Sequence, residues 1–237
     1  MDSIKIKRRY FYLFPVFVPL LCAVAVLAYK PGPDSIRECP KCKAALEQST
    51  MMSGNSFDAR YWTDGKMEAP MLPDRPWLVK CPKCSNLFWM TEAQKLGEQY
   101  KYDKDKDKKW PDAVEPGLPT ETDFLSMLGT PGLSEKKAQY LRIRAWWAAN
   151  DIKRKNRNMT EDWSLIQKAN LESLADLLDA TDPEQRIMKA EIFRELKRFD
   201  DCLNLLAQPF EKEDHNAFAV FIRRLAEDRF WMVEQIE

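Results

Sequence analysis

Cys39-Pro40-Lys41-Cys42 recurs as Cys81-Pro82-Lys83-Cys84, and this doubling constrains the chain more than any other feature. A C-x-x-C turn presents two thiolates from one tight knuckle. Two such knuckles complete the tetrahedral four-sulfur shell that Zn²⁺ favours. The spacing therefore predicts one zinc ion held by Cys39, Cys42, Cys81 and Cys84. Four thiolates close the shell and leave no position for a reacting water, so the metal is expected to be structural. A small β-rich domain with a thin apolar core gains its stability from such an ion.

Similar text follows each motif, Lys-Ala-Ala-Leu after the first and Ser-Asn-Leu-Phe-Trp after the second. With these residues the region resembles the rubredoxin-like knuckles of the zinc-ribbon class over roughly residues 36–92. Those knuckles commonly carry glycine after the second cysteine, where Lys43 and Ser85 stand here at some conformational cost. The 38 residues between the pairs suggest an inserted hairpin. Ala59–Thr63 reads as a strand, Asp64-Gly65 as its turn, and Trp77-Leu78-Val79 as the strand entering the second knuckle.

Two rivals share the cysteines. Glutaredoxin-like enzymes also use Cys-Pro-x-Cys, but they start a helix there to lower the thiol pKa, and Ser85–Trp89 looks extended. Disulfide pairing is the other rival, in an oxidising compartment.

Tyr10–Tyr29 is a run of 20 uncharged residues, long enough to span the ~30 Å hydrocarbon core of a bilayer. Lys5, Lys7, Arg8 and Arg9 precede it, and Tyr10, Tyr12 and Tyr29 sit where interfacial aromatics belong. The run exceeds the ~7–15 residues of a signal-peptide core, which favours a retained anchor over cleavage. The expectation is a single-pass membrane protein, in the bacterial inner membrane. Lys30, Arg37, Lys41 and Lys43 match the basic side chains before the run in number. The closer packing of the latter puts the N-terminus in the cytoplasm, whereas a cysteine-ligated zinc prefers the body in a reducing compartment, so the orientation stays open.

Residues 100–120 are poor in aliphatic side chains, alternate Lys with Asp and hold Pro111, Pro116 and Pro119, which reads as a solvated connector. Beyond it the pattern becomes helical. Leu133, Leu141, Ala145 and Ala149 share a face, and Trp146 and Trp147 are expected in the core. Thr160 is placed to cap the next helix, with a stripe of Trp163, Ile166, Leu174 and Leu178. Asp182-Pro183 is a helix start. Phe218, Phe221, Ile222 and Leu225 mark a last helix. Ala190-x-x-Phe193-x-x-Leu196-x-x-Phe199-x-x-Cys202 resembles the core of a tetratricopeptide repeat, with Lys197 in place of that family's turn glycine. Cys202 reads as a packed small residue.

The fold class expected is thus α+β: a transmembrane anchor or signal segment at 1–30, a zinc ribbon at 31–99, a linker at 100–120 and an all-α, repeat-like domain at 121–237. Equal numbers of Lys+Arg and Asp+Glu, 37 each, give no basic excess. The 121–237 region carries 18 basic against 22 acidic side chains, so a nucleic-acid partner is disfavoured. Lys153–Arg157, the dense basic cluster of that half, reads as a solvated loop. A single histidine, His215, excludes triads and His-rich metal centres and is expected to be exposed. No carboxylate pair suggests catalysis, and the chain is expected not to be an enzyme.

The combination resembles uncharacterised bacterial zinc-ribbon proteins with helical hairpins behind the ribbon. That resemblance implies an adaptor or protein-interaction role with an unknown protein partner. The alternatives are a nucleic-acid-binding or regulatory ribbon and a thiol oxidoreductase.

Overall fold

The computed structural model describes residues 30–100, 109–156 and 161–236. The first half consists of short antiparallel strands. β1 (Lys30–Pro31) pairs with β4 (Met51–Ser53), and β2 (Asp34–Glu38) lies between β3 (Ala45–Gln48) and β9 (Lys95–Gln99). β7 (Leu78–Lys80) pairs with β8 (Leu87–Trp89). The inserted hairpin is β5 (Arg60–Trp62) and β6 (Met67–Glu68), turning through Gly65 at φ 78°, and β10 (Gln235–Ile236) adds to its outer edge.

Six helices follow among the described residues, four of them started by a side-chain cap. In α1 (Glu121–Ser126), Thr120 and Asp123 form a reciprocal capping box. Ser134 caps α2 (Glu135–Lys155), and Asp182 with Pro183 starts α4 (Pro183–Glu195) as expected. α3 (Leu165–Leu177) is capped by Ser164 and Gln167. Thr160, the expected cap, lies outside the described residues. Lys197 takes φ 63° at the turn into α5 (Phe199–Leu205), and the Arg198 N–H closes back on the Phe193 carbonyl at 2.8 Å. The left-handed residue that releases helix-end carbonyls to these bonds is usually glycine. α6 (Glu213–Glu227) completes the helical half.

One expectation is corrected. No helix among the described residues is long and apolar enough to cross a membrane. The longest, α2, carries nine charged side chains in its 21 residues. The Tyr10–Tyr29 run, on which the spanning helix and the inner-membrane localisation rested, lies outside the described residues.

The two halves share an interior. Val79 and Phe88 face the ribbon core with Leu46 and Met90, whereas Leu78 and Trp89 face Phe124, Leu141 and Ala145 of the helices. The β7–β8 hairpin is therefore buried on both faces, which explains its unbroken apolar text. Val114 bridges to Leu46 and Gly117 to Lys80, so this part of the expected connector lies along the strands.

A buried polar network joins the hairpin turn, α2, α4 and the segment before β10. Asp64, Asn150, Glu191, Arg194 and Glu195 are all fully buried. Asn150 Nδ2 donates to Asp64 at 2.9 Å and to Glu195 at 3.1 Å, and Trp146 Nε1 donates to Glu195 at 2.9 Å. Arg154 pairs with Asp64. Burial, with Glu191 and Asp64 nearby, holds the Glu195 carboxyl well above its ordinary value. The folded state then binds more protons than the unfolded one above about pH 4.3. Glu195 therefore favours folding at low pH, and that contribution is lost as pH rises through its raised pKa. Glu195→Gln should gain stability relative to wild type as pH rises from about 5.5 to 8.5. Urea denaturation of both proteins at each pH checks this, since contributions common to both cancel in the difference. A pH-independent difference would refute it.

Candidate metal centre

The knuckles are built alike. β2 and β3 are joined through Cys39–Ala44, and β7 and β8 through Cys81–Asn86, with Glu38 opposite Ala45 and Lys80 opposite Leu87. The Cys39 N–H donates to the Ala44 carbonyl and the Cys81 N–H to the Asn86 carbonyl, both at 2.9 Å. The N–H of Lys43 returns to the Cys39 carbonyl at 3.0 Å, and that of Ser85 to the Cys81 carbonyl at 2.8 Å.

Lys43 and Ser85 take φ 63° and 59°, the left-handed conformation that knuckles usually assign to glycine. This turn aims the next amide, that of Ala44 or Asn86, at the sulfur of Cys42 or Cys84. Left-handed backbone costs a side-chain-bearing residue roughly 1–2 kcal/mol. Ser85→Gly should therefore stabilise the protein, by about 1 kcal/mol after the entropy glycine adds to the unfolded chain is deducted. Thermal denaturation of metal-loaded protein would show it, and an unchanged or lower midpoint would count against this account of the turn.

All four sulfurs lie within 4.8 Å of one another. Across the knuckles, Cys39 Sγ is 3.7 Å from Cys84 Sγ and Cys42 Sγ is 3.6 Å from Cys81 Sγ. A tetrahedron with metal–sulfur bonds of ~2.3 Å has edges of about 3.8 Å. The donor set and its spacing therefore fit one four-coordinate metal ion. All four sites named from the sequence converge here.

Burial divides the cluster. Cys39 and Cys81 are fully buried in the ribbon core, Cys84 is half-buried and Cys42 faces solvent. The Ala44 N–H and then the Cys84 thiol draw Cys42 down to about 7. At Cys84 the Asn86 N–H pulls the same way, but burial and the other three sulfurs outweigh it and push the thiol up to about 12. Burial raises Cys81 as well. Four negative sulfurs cannot share so small a space without a cation to neutralise them.

The second knuckle runs straight into β8, so no helix begins at the cysteines. The helix N-terminus on which a glutaredoxin-like nucleophile depends is absent from this turn. Cys202 is buried among helical apolar residues, and burial pushes its thiol up to about 12, as suits a packed residue.

Other sequence readings shift. The basic cluster on α2 is partly internal: Lys153 Nζ sits 3.5 Å from the Trp163 ring centre and 4.1 Å from that of Trp231. Arg154 is tucked against Trp62 as well as Asp64. Trp146 is buried as expected, whereas Trp147 is half-buried and donates to the Asp64 carbonyl at 3.0 Å. His215 is half-buried beside Phe210, with Glu184 at 3.7 Å. The polar network itself was missed. Its signal was Glu191, Arg194 and Glu195 at helical spacing on the same face as Ile187.

Compared with known protein families, curated proteins and solved structures, the chain finds no match in any of the three.

Proposed function

We propose that Cys39, Cys42, Cys81 and Cys84 bind one structural Zn²⁺, and that the metal-held ribbon acts with the helices as a protein-binding module. The observation that carries the first part is the convergence of four sulfurs from two matching turns at tetrahedral spacing. Iron is the other common metal of a four-thiolate tetrahedron, and the affinity order of divalent metals favours zinc over ferrous iron. A complete thiolate shell has no open position for substrate, so the ion acts through the fold it holds.

Two features support the binding role. The α4–α5 hairpin keeps the small and aromatic alternation that resembles a tetratricopeptide unit, with Ala190, Phe199 and Cys202 packed in one cluster. Stacked helical hairpins offer surfaces for partner proteins. The basic residues that would have served nucleic acid are engaged inside the fold at Lys153 and Arg154.

Elemental analysis of protein purified under reducing conditions tests the metal, with one zinc per chain expected. Folded protein with far less zinc, or with iron in its place, would overturn that assignment. Affinity purification followed by co-elution of the purified pair tests the module. Recovery of no stable partner by metal-loaded protein would count against it.

A further inference from the structure

The two knuckle hairpins end in different edges. On the outer side of β7, the Lys80 N–H donates to the Gly117 carbonyl at 2.9 Å and its carbonyl accepts from the Gly117 N–H at 2.8 Å. The hydroxyl of Tyr140 also lies against this edge, accepting from the outward N–H of Leu78 at 3.5 Å and from the adjoining N–H of Trp77 at 2.8 Å. That edge is covered. In an antiparallel ladder, residues opposite one another turn their N–H and C=O groups either toward each other or both outward. Lys80 turns outward and stands opposite Leu87; Leu78, two residues along the same strand, stands opposite Trp89. Leu87 and Trp89 therefore direct their backbone groups to the outer side of β8.

Among the described residues no strand lies there. The Trp89 carbonyl is spent as the first acceptor of the 3-10 turn Met90–Glu92, while the Leu87 N–H and C=O and the Trp89 N–H have no backbone partner among the described residues. The equivalent edge in the sister hairpin is closed. Val114 donates to the Ala45 carbonyl at 3.2 Å and accepts from the Glu47 N–H at 2.9 Å along β3. An unpaired strand edge is a template for another strand unless it is charged, bulged or covered.

A groove of about 430 Å³ adjoins the open edge, lined in part by Leu87, Phe88, Trp89, Met127 and Leu133. Lys137 and Glu92 also line it and neutralise each other as an ion pair. Pro40 of the first knuckle lines it as well. Next to it, Lys41 is exposed, as is Lys83 in the second knuckle, and neither has an ion pair among the described residues. An edge that offers the Leu87 N–H and C=O and the Trp89 N–H matches the donors and acceptors of an extended peptide backbone. An apolar groove whose rim at Pro40 leads to the exposed Lys41 ammonium matches a segment with apolar and acidic side chains.

We propose that the outer edge of β8 is a docking site for an extended, acidic-flanked segment of a partner protein. The segment adds as a third strand beyond β8, places an apolar side chain in the groove and sets a carboxylate toward Lys41. Main-chain hydrogen bonds then supply affinity and the groove supplies selectivity. The inference deepens the proposed binding role and rests on it, because the metal-held knuckle fixes where this edge lies.

The test uses the full, metal-loaded chain and a pool of capped peptides of about eight residues, in which valine, leucine or phenylalanine alternates with glutamate. Amide hydrogen exchange should be fast at Leu87 and Trp89 in the free protein and slowed by bound peptide. Methylating the edge-facing amides of the selected peptide should abolish binding, while methylating the opposite set should not. Leu87→Pro removes an outward N–H without touching the β7 ladder, and should weaken binding roughly tenfold. If that variant does not fold, the methylated peptides carry the test on unaltered protein. Zinc is measured on the same sample, so failure of the metal assignment registers separately. Full metal content with no protection at Leu87 and Trp89 overturns the docking site. So does protection of those amides before peptide is added, which would mean that the chain or a second copy already covers the edge.

Discussion

Cys81→Ser should yield a protein that neither retains metal nor shows a cooperative melt of its ribbon half. Cys81 is fully buried between Val79, Leu46 and Phe88, so the change removes a ligand from the middle of the core. Structural zinc contributes about 10–16 kcal/mol in small thiolate sites, as much as the whole stability of an ordinary domain. The ribbon strands are two to five residues long and cannot replace that contribution by burial. The loss should also spread. Leu78 and Trp89 pack on Phe124, Leu141 and Ala145, and β10 pairs with β5, so α1, α2 and the C-terminal segment lose partners together. A strong chelator should reproduce the effect in wild type. Cys202→Ala supplies the contrast: its thiol lies in a helical cluster remote from the knuckles, and zinc should stay at one per chain. Circular dichroism melts with metal analysis decide the matter. A Cys81→Ser protein that melts like wild type would dismantle the metal centre as the basis of the fold.

The second large effect is expected at Arg194. Its guanidinium is fully buried and grips Glu191 with two bonds, Nε to Oε2 at 2.7 Å and Nη2 to Oε1 at 2.5 Å. It also donates to the carbonyls of Phe230 and Met232 at 2.5 and 3.0 Å and to the Thr63 hydroxyl at 3.4 Å. One side chain thus ties α4, the segment leading to β10 and the inserted hairpin. Arg194→Met strands the Glu191 carboxylate and the Phe230 and Met232 carbonyls in a dry interior, whereas the Thr63 hydroxyl keeps the Glu234 N–H; the loss should cost about 3–5 kcal/mol. That corresponds to a fall of roughly 10 °C in melting temperature for a chain of this size. Replacing both partners, as Arg194→Met with Glu191→Leu, should recover part of the loss, because the stranded charge goes with its cause. Urea denaturation of the two single variants and the double measures the coupling. Strict additivity would mean that the pair does not act as a unit.

The metal cluster and the hairpins that present it were legible because their determinants are local. A knuckle is specified by six consecutive residues, and its repetition at Cys39 and Cys81 announces the partner it needs. The inserted turn at Asp64-Gly65 and the Asp182-Pro183 helix start are equally local. Even the departures at Lys43, Ser85 and Lys197 were visible as residues standing where glycine is usual, and all three adopt positive φ.

The remainder depended on which distant segments meet. Lys153–Arg157 looks solvated along the chain, yet Trp163 and Trp231 arrive to receive the Lys153 ammonium and Asp64 arrives to receive Arg154. Charge in a sequence carries no sign of burial until its partner is placed. The apolar stretch 10–29 illustrates the converse, since length and hydrophobicity support an expectation without fixing what a segment does. What the amino-acid order determined alone was the four-sulfur site, because two short turns of fixed geometry leave their thiolates few alternatives. What tertiary structure decided, among the described residues, was the joining of the ribbon to the helices and which strand edges are covered. Both follow from contacts between segments far apart in the chain, whose free energy exists only once they are in place.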